Sequence, residues 1–273
     1  MGEARQRSGS AVRGEVEVGE VMPVLPTLPV DRLGPIPAVV HQIWVGSEPP
    51  AWVRRFWDGW DEFAAEHHPT LTMWRWTDDD LDGTATGRIC RRHPGLAPVV
   101  IADLLRVEAV SLYGGLYMDS DTIPLRSLDE WTGHRAGWMG QGPYEPDKAP
   151  DKQVVNNAAF GFPAHHPYLS AVWDHGTEAV GRGLTSPFHI VGPLVFKKII
   201  NSMAESVEVP RGPFPSTDDR VAAREERMGR RLTNDELRDE YPTARVVHMS
   251  AVSWQDATGN TRRMRRREQW AEG

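Results

Sequence analysis

The chain reads as an α/β domain, and three observations predict this. Short apolar runs rich in β-branched residues alternate with longer stretches of helical spacing. The length of 273 residues suits one large domain. One buried run ends in a pair of carboxylates, and open α/β sheets place their ligand sites at the carboxyl ends of strands.

The elements follow in order. Residues 1–35 are rich in Gly, Glu, Arg and Pro with no apolar period, which predicts a flexible arm whose proline-rich end, 23–37, is an extended lead-in. Residues 38–45 form a buried strand that stops at Gly46. Trp52, Val53, Phe56, Trp60, Phe63 and Ala64 mark a helix over 52–67. A second strand covers 71–76, and the acidic run 78–82 is a solvated turn or helix start. Ile101, Leu104, Leu105, Val107, Val110 and Leu112 mark the next helix, which Gly114 and Gly115 end because glycine tolerates positive φ. Leu116, Tyr117 and Met118 are a short buried strand running into Asp119, Ser120 and Asp121.

Beyond a Pro/Asp/Lys loop at 141–153, the pattern predicts a strand at 156–162 and helices at 166–181 and from Gly192 to about 203. The charged stretch 210–240 reads as a peripheral insert with a helix near 218–231. A last strand at 244–248 closes the domain, 36–260. A basic tail, 261–273, follows, with five arginines between 261 and 267.

Composition excludes several classes. A net charge of −7 argues against a general nucleic-acid binder. The single cysteine, Cys90, excludes an intrachain disulfide framework and cysteine-rich zinc sites. No apolar run reaches the ~18–20 residues of a membrane span, and the N-terminus lacks the apolar core of a secretory signal. These features predict a soluble, cytoplasmic protein. Eleven tryptophans, six of them between His41 and Trp76, serve either core packing or stacking on flat ligand faces.

The chemistry concentrates at two places. Asp119 and Asp121, just past a strand end, suit capture of Mn²⁺ or Mg²⁺ by hard oxygen ligands, with substrate phosphates completing the shell. Asp103 and Arg106, at i and i+3, share one face of an otherwise apolar helix. They are either an intrahelical salt bridge or a carboxylate and a guanidinium for sugar hydroxyls and other oxygen-rich groups.

Four motifs carry a resemblance: residues 36–46 around His41, Gln42, Ile43 and Trp44; Ala102 to Arg106; Tyr113 to Asp121; and His248 with Ser253 and Trp254. Together they resemble the DXD-containing glycosyltransferases, a family that includes fungal Golgi initiating mannosyltransferases, bacterial capsular polysaccharide enzymes and the catalytic domains of large clostridial glucosylating toxins. The resemblance spans about 36–254; the arm, the 141–153 loop and the 210–240 insert lie outside it. It implies a GT-A-type, nucleotide-sugar-binding, Rossmann-like domain with a central mixed sheet, and retaining transfer to an acceptor.

Residue by residue, the resemblance implies that Trp44 stacks on the donor base and that Asp103 and Arg106 hold the donor sugar. It implies that Asp119 contacts the ribose or sugar and the metal region, and that Asp121 is the direct metal ligand. Asn157 matches, more loosely, an asparagine near the sugar. His248, Ser253 and Trp254 match the C-terminal element that closes on the diphosphate. His248 ends a strand as Asp119 does, so both strand ends could face one cation, for which a neutral imidazole is an acceptable ligand. The family often has Thr or Val where Ser120 stands, a side chain expected to point away from the carboxylates. The partner is a nucleotide-sugar donor, UDP- or GDP-linked, with an open choice of acceptor. Two alternatives compete: a non-catalytic sugar-binding protein on the same fold, and a phosphatase with an aspartyl nucleophile, which also opens its site with a strand ending in Asp-x-Asp.

Overall fold

Strand β1 (Val39–Ile43) is buried along almost its whole length, as expected of a strand covered on both faces. In this computed structural model, which describes residues 23–134, 136–142, 155–203, 207–210, 212–216 and 219–249, it pairs in parallel with β2 (Thr72–Trp76) and β3 (Gly115–Met118). β3 then pairs antiparallel with β6 (Val155–Phe162), and β6 antiparallel with β5 (Gly137–Gln141). β5 pairs in parallel with β7 (Val207–Glu208). The order is β2-β1-β3-β6-β5-β7, a central mixed sheet of six strands, as the GT-A-type expectation requires. A second, two-stranded sheet joins β4 (Thr122–Pro124) to β8 (Val246–His248), with Thr122 opposite His248.

Helices cover both faces of the large sheet. The alternation of side chains along β3 sends Leu116 and Met118 to one layer and Tyr117 to the other. The first layer is closed by helix α1 (Ala51–His67), whose Trp60, Phe63 and Ala64 meet Val40, Leu116, Met118 and Ala159. The second is closed by α3 (Pro98–Tyr113), α4 (Pro167–Gly181) and α6 (Pro193–Ser202), packed on Tyr117, Phe160 and Phe162. A short helix, α5 (Pro187–Ile190), links α4 to α6. No helix among the described residues is long and apolar enough to cross a membrane.

The α3–β3 junction sets the geometry of the site. Gly114 and Gly115 have φ of 66° and 108°, and a Cβ on Gly115 would stand 2.6 Å from the Val39 carbonyl oxygen, so the turn requires glycine there. His41 fastens this turn to β1. Its Nε2 lies 2.8 Å from Gly114 O, and Trp76 Nε1 donates to Nδ1 at 3.1 Å. Burial pushes the His41 pKa down to about 4, with the Gly114 carbonyl pulling the other way. The ring is therefore neutral, with its proton on Nε2.

Three regions add to the sequence reading. Helix α2 (Ala85–Arg92), absent from the sequence reading, is held by contacts from outside itself. Buried Glu108 of α3 accepts Ala85 N at 2.6 Å, Thr86 N at 2.7 Å and Thr86 Oγ1 at 2.7 Å. That places a carboxylate on the free N–H groups of a helix start. The 210–240 stretch contributes buried residues of its own. Around its helices α7 (Asp219–Met228) and α8 (Asn234–Glu240), Val221, Leu232 and Leu237 are buried with Trp52, Val53, Phe56 and Trp57 of α1. Residues 23–35 of the arm also lie against the domain: Leu25 and Leu33 are buried, and Trp173 Nε1 donates to Pro23 O at 2.7 Å.

Candidate metal and donor site

Asp119, Ser120 and Asp121 form the tight turn between β3 and β4, and backbone bonds fix it on three sides. Asp119 N donates to Ala158 O at 2.8 Å, Thr122 N to Asp119 O at 3.1 Å, and Met249 N to Asp121 O at 2.9 Å. The middle residue is the anchor: buried Ser120 donates through Oγ to Ile43 O at 2.9 Å and accepts Trp57 Nε1 at 3.4 Å. Trp60 Nε1 adds a bond to Thr122 O at 3.1 Å. With Ser120 turned into the protein, as expected, the flanking carboxylates gather at one place.

Asp119 divides its two oxygens among three neighbours. Oδ1 accepts the Tyr117 hydroxyl at 2.7 Å and lies 3.2 Å from Arg106 Nη1. Oδ2 faces His248 Nε2 at 3.5 Å, and the same Nε2 is 3.3 Å from Asp121 Oδ1. Asp119, Asp121 and His248 each offer one ligand atom, and these atoms all lie within 4.8 Å of one another. The set of two carboxylates and an imidazole has the chemistry of a divalent-cation site.

Arg106 is buried, and its partners explain how. Nη2 is 2.8 Å from Asp103 Oδ1, Nη1 donates to Asn157 O at 2.9 Å, and the guanidinium lies 4.4 Å over the Tyr117 ring. The pair is therefore an intrahelical salt bridge whose guanidinium also reaches the carboxylate turn. Burial opposes its charge, but Tyr117, Asp103, Asp119 and Asp121 outweigh burial and hold its pKa above the ordinary value. Burial pushes Asp103 up to about 7; Arg106 pulls it back and Asp119 pushes it further up. For His248, burial opposes the charged form, while Asp121 and Asp119 outweigh burial and Arg106 and raise its pKa.

Of the residues singled out in the sequence, the fold brings Asp103, Arg106, Asp119, Asp121 and His248 together. Asn157 joins through its carbonyl. Trp44 is half-exposed one residue beyond the Ile43 carbonyl that holds Ser120, edge-on to Trp52 at 5.4 Å, with Nε1 donating to Ser47 Oγ at 3.2 Å. Its loop is held by Asp78, whose two carboxylate oxygens accept Gly46 N at 3.0 and 2.9 Å. Ser253 and Trp254 lie outside the described residues. Tyr117 was legible only as part of a buried strand; its position two residues before Asp119 was the available signal. Ser216, which reaches His248, and Asn156, which reaches Ser216, carried none.

The architecture and the clustered acidic turn define a class: an α/β protein with a candidate cation site at the end of a central strand. Residues 62–138, a little over a quarter of the chain, match the family described as glycosyltransferase sugar-binding region containing DXD motif. Inositol phosphoceramide mannosyltransferase 3 of Schizosaccharomyces pombe is 26% identical over 145 residues, half of this chain and 36% of that protein's length. Among solved structures, the PaToxG glycosyltransferase is similar at a TM-score of 0.49 and 14% identity, over 79% of this chain and 90% of its own. A glycosyltransferase involved in glycosylation of the major capsid of PBCV-1 is similar at 0.47 and 12% identity, over 86% and 98%.

Proposed function

We propose that the protein is a retaining, metal-dependent glycosyltransferase that moves a hexose from a UDP- or GDP-linked donor to an acceptor hydroxyl or other nucleophile. The observation that carries the proposal is the convergence of Asp119, Asp121 and His248 beside the Asp103–Arg106 pair. The matched sugar-binding region supports glycosyl transfer, and the name of the fungal relative supports a hexose. A cytoplasmic setting belongs to the same proposal.

In this reading Asp121, Asp119 and His248 hold the cation. The imidazole in the donor set suits Mn²⁺ better than Mg²⁺, which prefers oxygen ligands. A bound divalent ion supplies charge neutralisation for the diphosphate that leaves the sugar. Trp44 stacks on the base, while Asp103 and Arg106 hold the sugar hydroxyls, with Asn157 beside them. Ser253 and Trp254 donate to the phosphates and exclude water. The bond between the anomeric carbon and the donor phosphate oxygen breaks with its electron pair going to that oxygen. The acceptor attacks the same face, and its proton passes to the departing oxygen, so no strong protein base is required.

The test incubates the protein with UDP- and GDP-hexoses and Mn²⁺ and follows nucleoside diphosphate release, with NMR on the anomeric proton of any product. The expected result is release from one donor class, retention of anomeric configuration, and silence in Asp121→Asn. Donor binding without release in the presence of any tested acceptor and Mn²⁺ would overturn the enzyme reading in favour of a sugar-binding protein.

A further inference from the structure

The imidazole of His248 faces the carboxylates with Nε2 and meets Ser216 with Nδ1. Ser216 Oγ is 3.0 Å from His248 Nδ1, and Asn156 Nδ2 donates to the same Oγ at 2.8 Å. The Asn156 amide is oriented independently: its Oδ1 accepts Ala158 N at 2.9 Å, so its NH₂ end is the one turned to Ser216. Backbone contacts keep Ser216 in register with His248. His248 N donates to Pro215 O at 2.9 Å, Arg245 N to Pro213 O at 2.7 Å, and Ser216 forms a parallel bridge with His248.

We infer that Ser216, backed by Asn156, is a positioning residue that holds His248 with its Nε2 lone pair toward the cation; the inference rests on the metal reading proposed above. A histidine that coordinates through Nε2 carries its proton on Nδ1, and that N–H needs an acceptor to fix the tautomer and the ring plane. Ser216 Oγ has two lone pairs: one takes the Asn156 amide, the other takes Nδ1–H. The segment 212–216, in the stretch expected to be peripheral, thereby becomes a structural part of the metal centre. Asn156 also precedes Asn157, whose carbonyl holds Arg106. Two consecutive residues of β6 support both sides of Asp119.

The experiment measures Mn²⁺ affinity of the full chain without donor, by electron paramagnetic resonance, for wild type, Ser216→Ala, Ser216→Thr, Asn156→Ala and Asp121→Asn, with thermal unfolding of each. Ser216→Ala is expected to weaken Mn²⁺ binding by about 10- to 100-fold with its unfolding midpoint unchanged. Ser216→Thr, which keeps the hydroxyl, restores binding, and Asn156→Ala weakens it in the same direction. Wild-type affinity in Ser216→Ala together with a loss in Asp121→Asn overturns the positioning role and leaves the metal site standing. Equal affinity in all five proteins overturns the metal site and the positioning role together.

Discussion

Asp119 has two flanks that solve opposite problems. On the Arg106 flank the chain brings together opposite charges: a buried guanidinium meets Asp103, Asp119 and the Asn157 carbonyl, and lies on the Tyr117 ring. On the His248 flank it gathers two carboxylates around one imidazole, an arrangement of like charges that an added cation would relieve. The same contrast separates two strand histidines. His41 spends both ring nitrogens on Gly114 and Trp76, and burial keeps it neutral; His248 is drawn toward the charged form by its acidic neighbours. A polar group whose partners all come from the fold is architecture, whereas two carboxylates sharing one imidazole at a strand end leave room, on the proposed reading, for a cation.

The largest expected effect tests the receiving flank. Asp121→Asn keeps the shape of the turn but removes a charge, and turnover with Mn²⁺ should fall by roughly 10³-fold while circular dichroism stays unchanged. Wild-type turnover in that variant would break the contrast. The opposite flank should respond in stability. Arg106→Ala leaves Asp103 and Asp119 without their cation and should cost about 3–5 kcal/mol, read from denaturant midpoints.

A third measurement sharpens the difference between the histidines. The His41 pKa falls from 6.5 when unfolded to about 4 when folded, so the unfolded chain binds more protons between those values. Its contribution is complete above pH 6.5 and is lost as pH falls toward 4, by about 3 kcal/mol at most. The sign is reversed for His248, whose raised pKa gives stability below 6.5 that fades as pH rises through the folded value. In a metal-free NMR titration His41 should therefore titrate well below 6.5 and His248 above it. The smallest effect concerns Trp44. Trp44→Ala should weaken donor binding by about 1–3 kcal/mol, by analogy with aromatic stacking on nucleobases. A drop in unfolding midpoint with unchanged donor affinity would make Trp44 a packing residue.

Much of this was legible from residue order. β1, α1, β2, α3, β3, β6, α4 and α6 each announce themselves through local periodicity or a glycine or proline boundary. The elements that escaped depend on distant partners. α2 is held at its start by Glu108, and β5 contains two glycines, one of which gives room to the Phe162 ring. β4 is three residues long and ends in proline, yet pairing with β8 makes it a strand. The site divides in the same way. Asp103 and Arg106 stand on a helix, His248 at a strand end, and Asp119 and Asp121 in the turn directly after a strand, positions that sequence spacing can place. Ser216 stands in an irregular segment, and its bond to His248 spans 32 positions that no local pattern connects.

The bond from Ser120 to the Ile43 carbonyl reaches further than its own turn. It ties the residue before Trp44 to the residue between Asp119 and Asp121, so the aromatic jaw and the acidic jaw are set on one frame. On the proposed reading, a donor with its base on Trp44 and its phosphates at the cation meets two groups whose backbone positions are fixed to each other by that one bond.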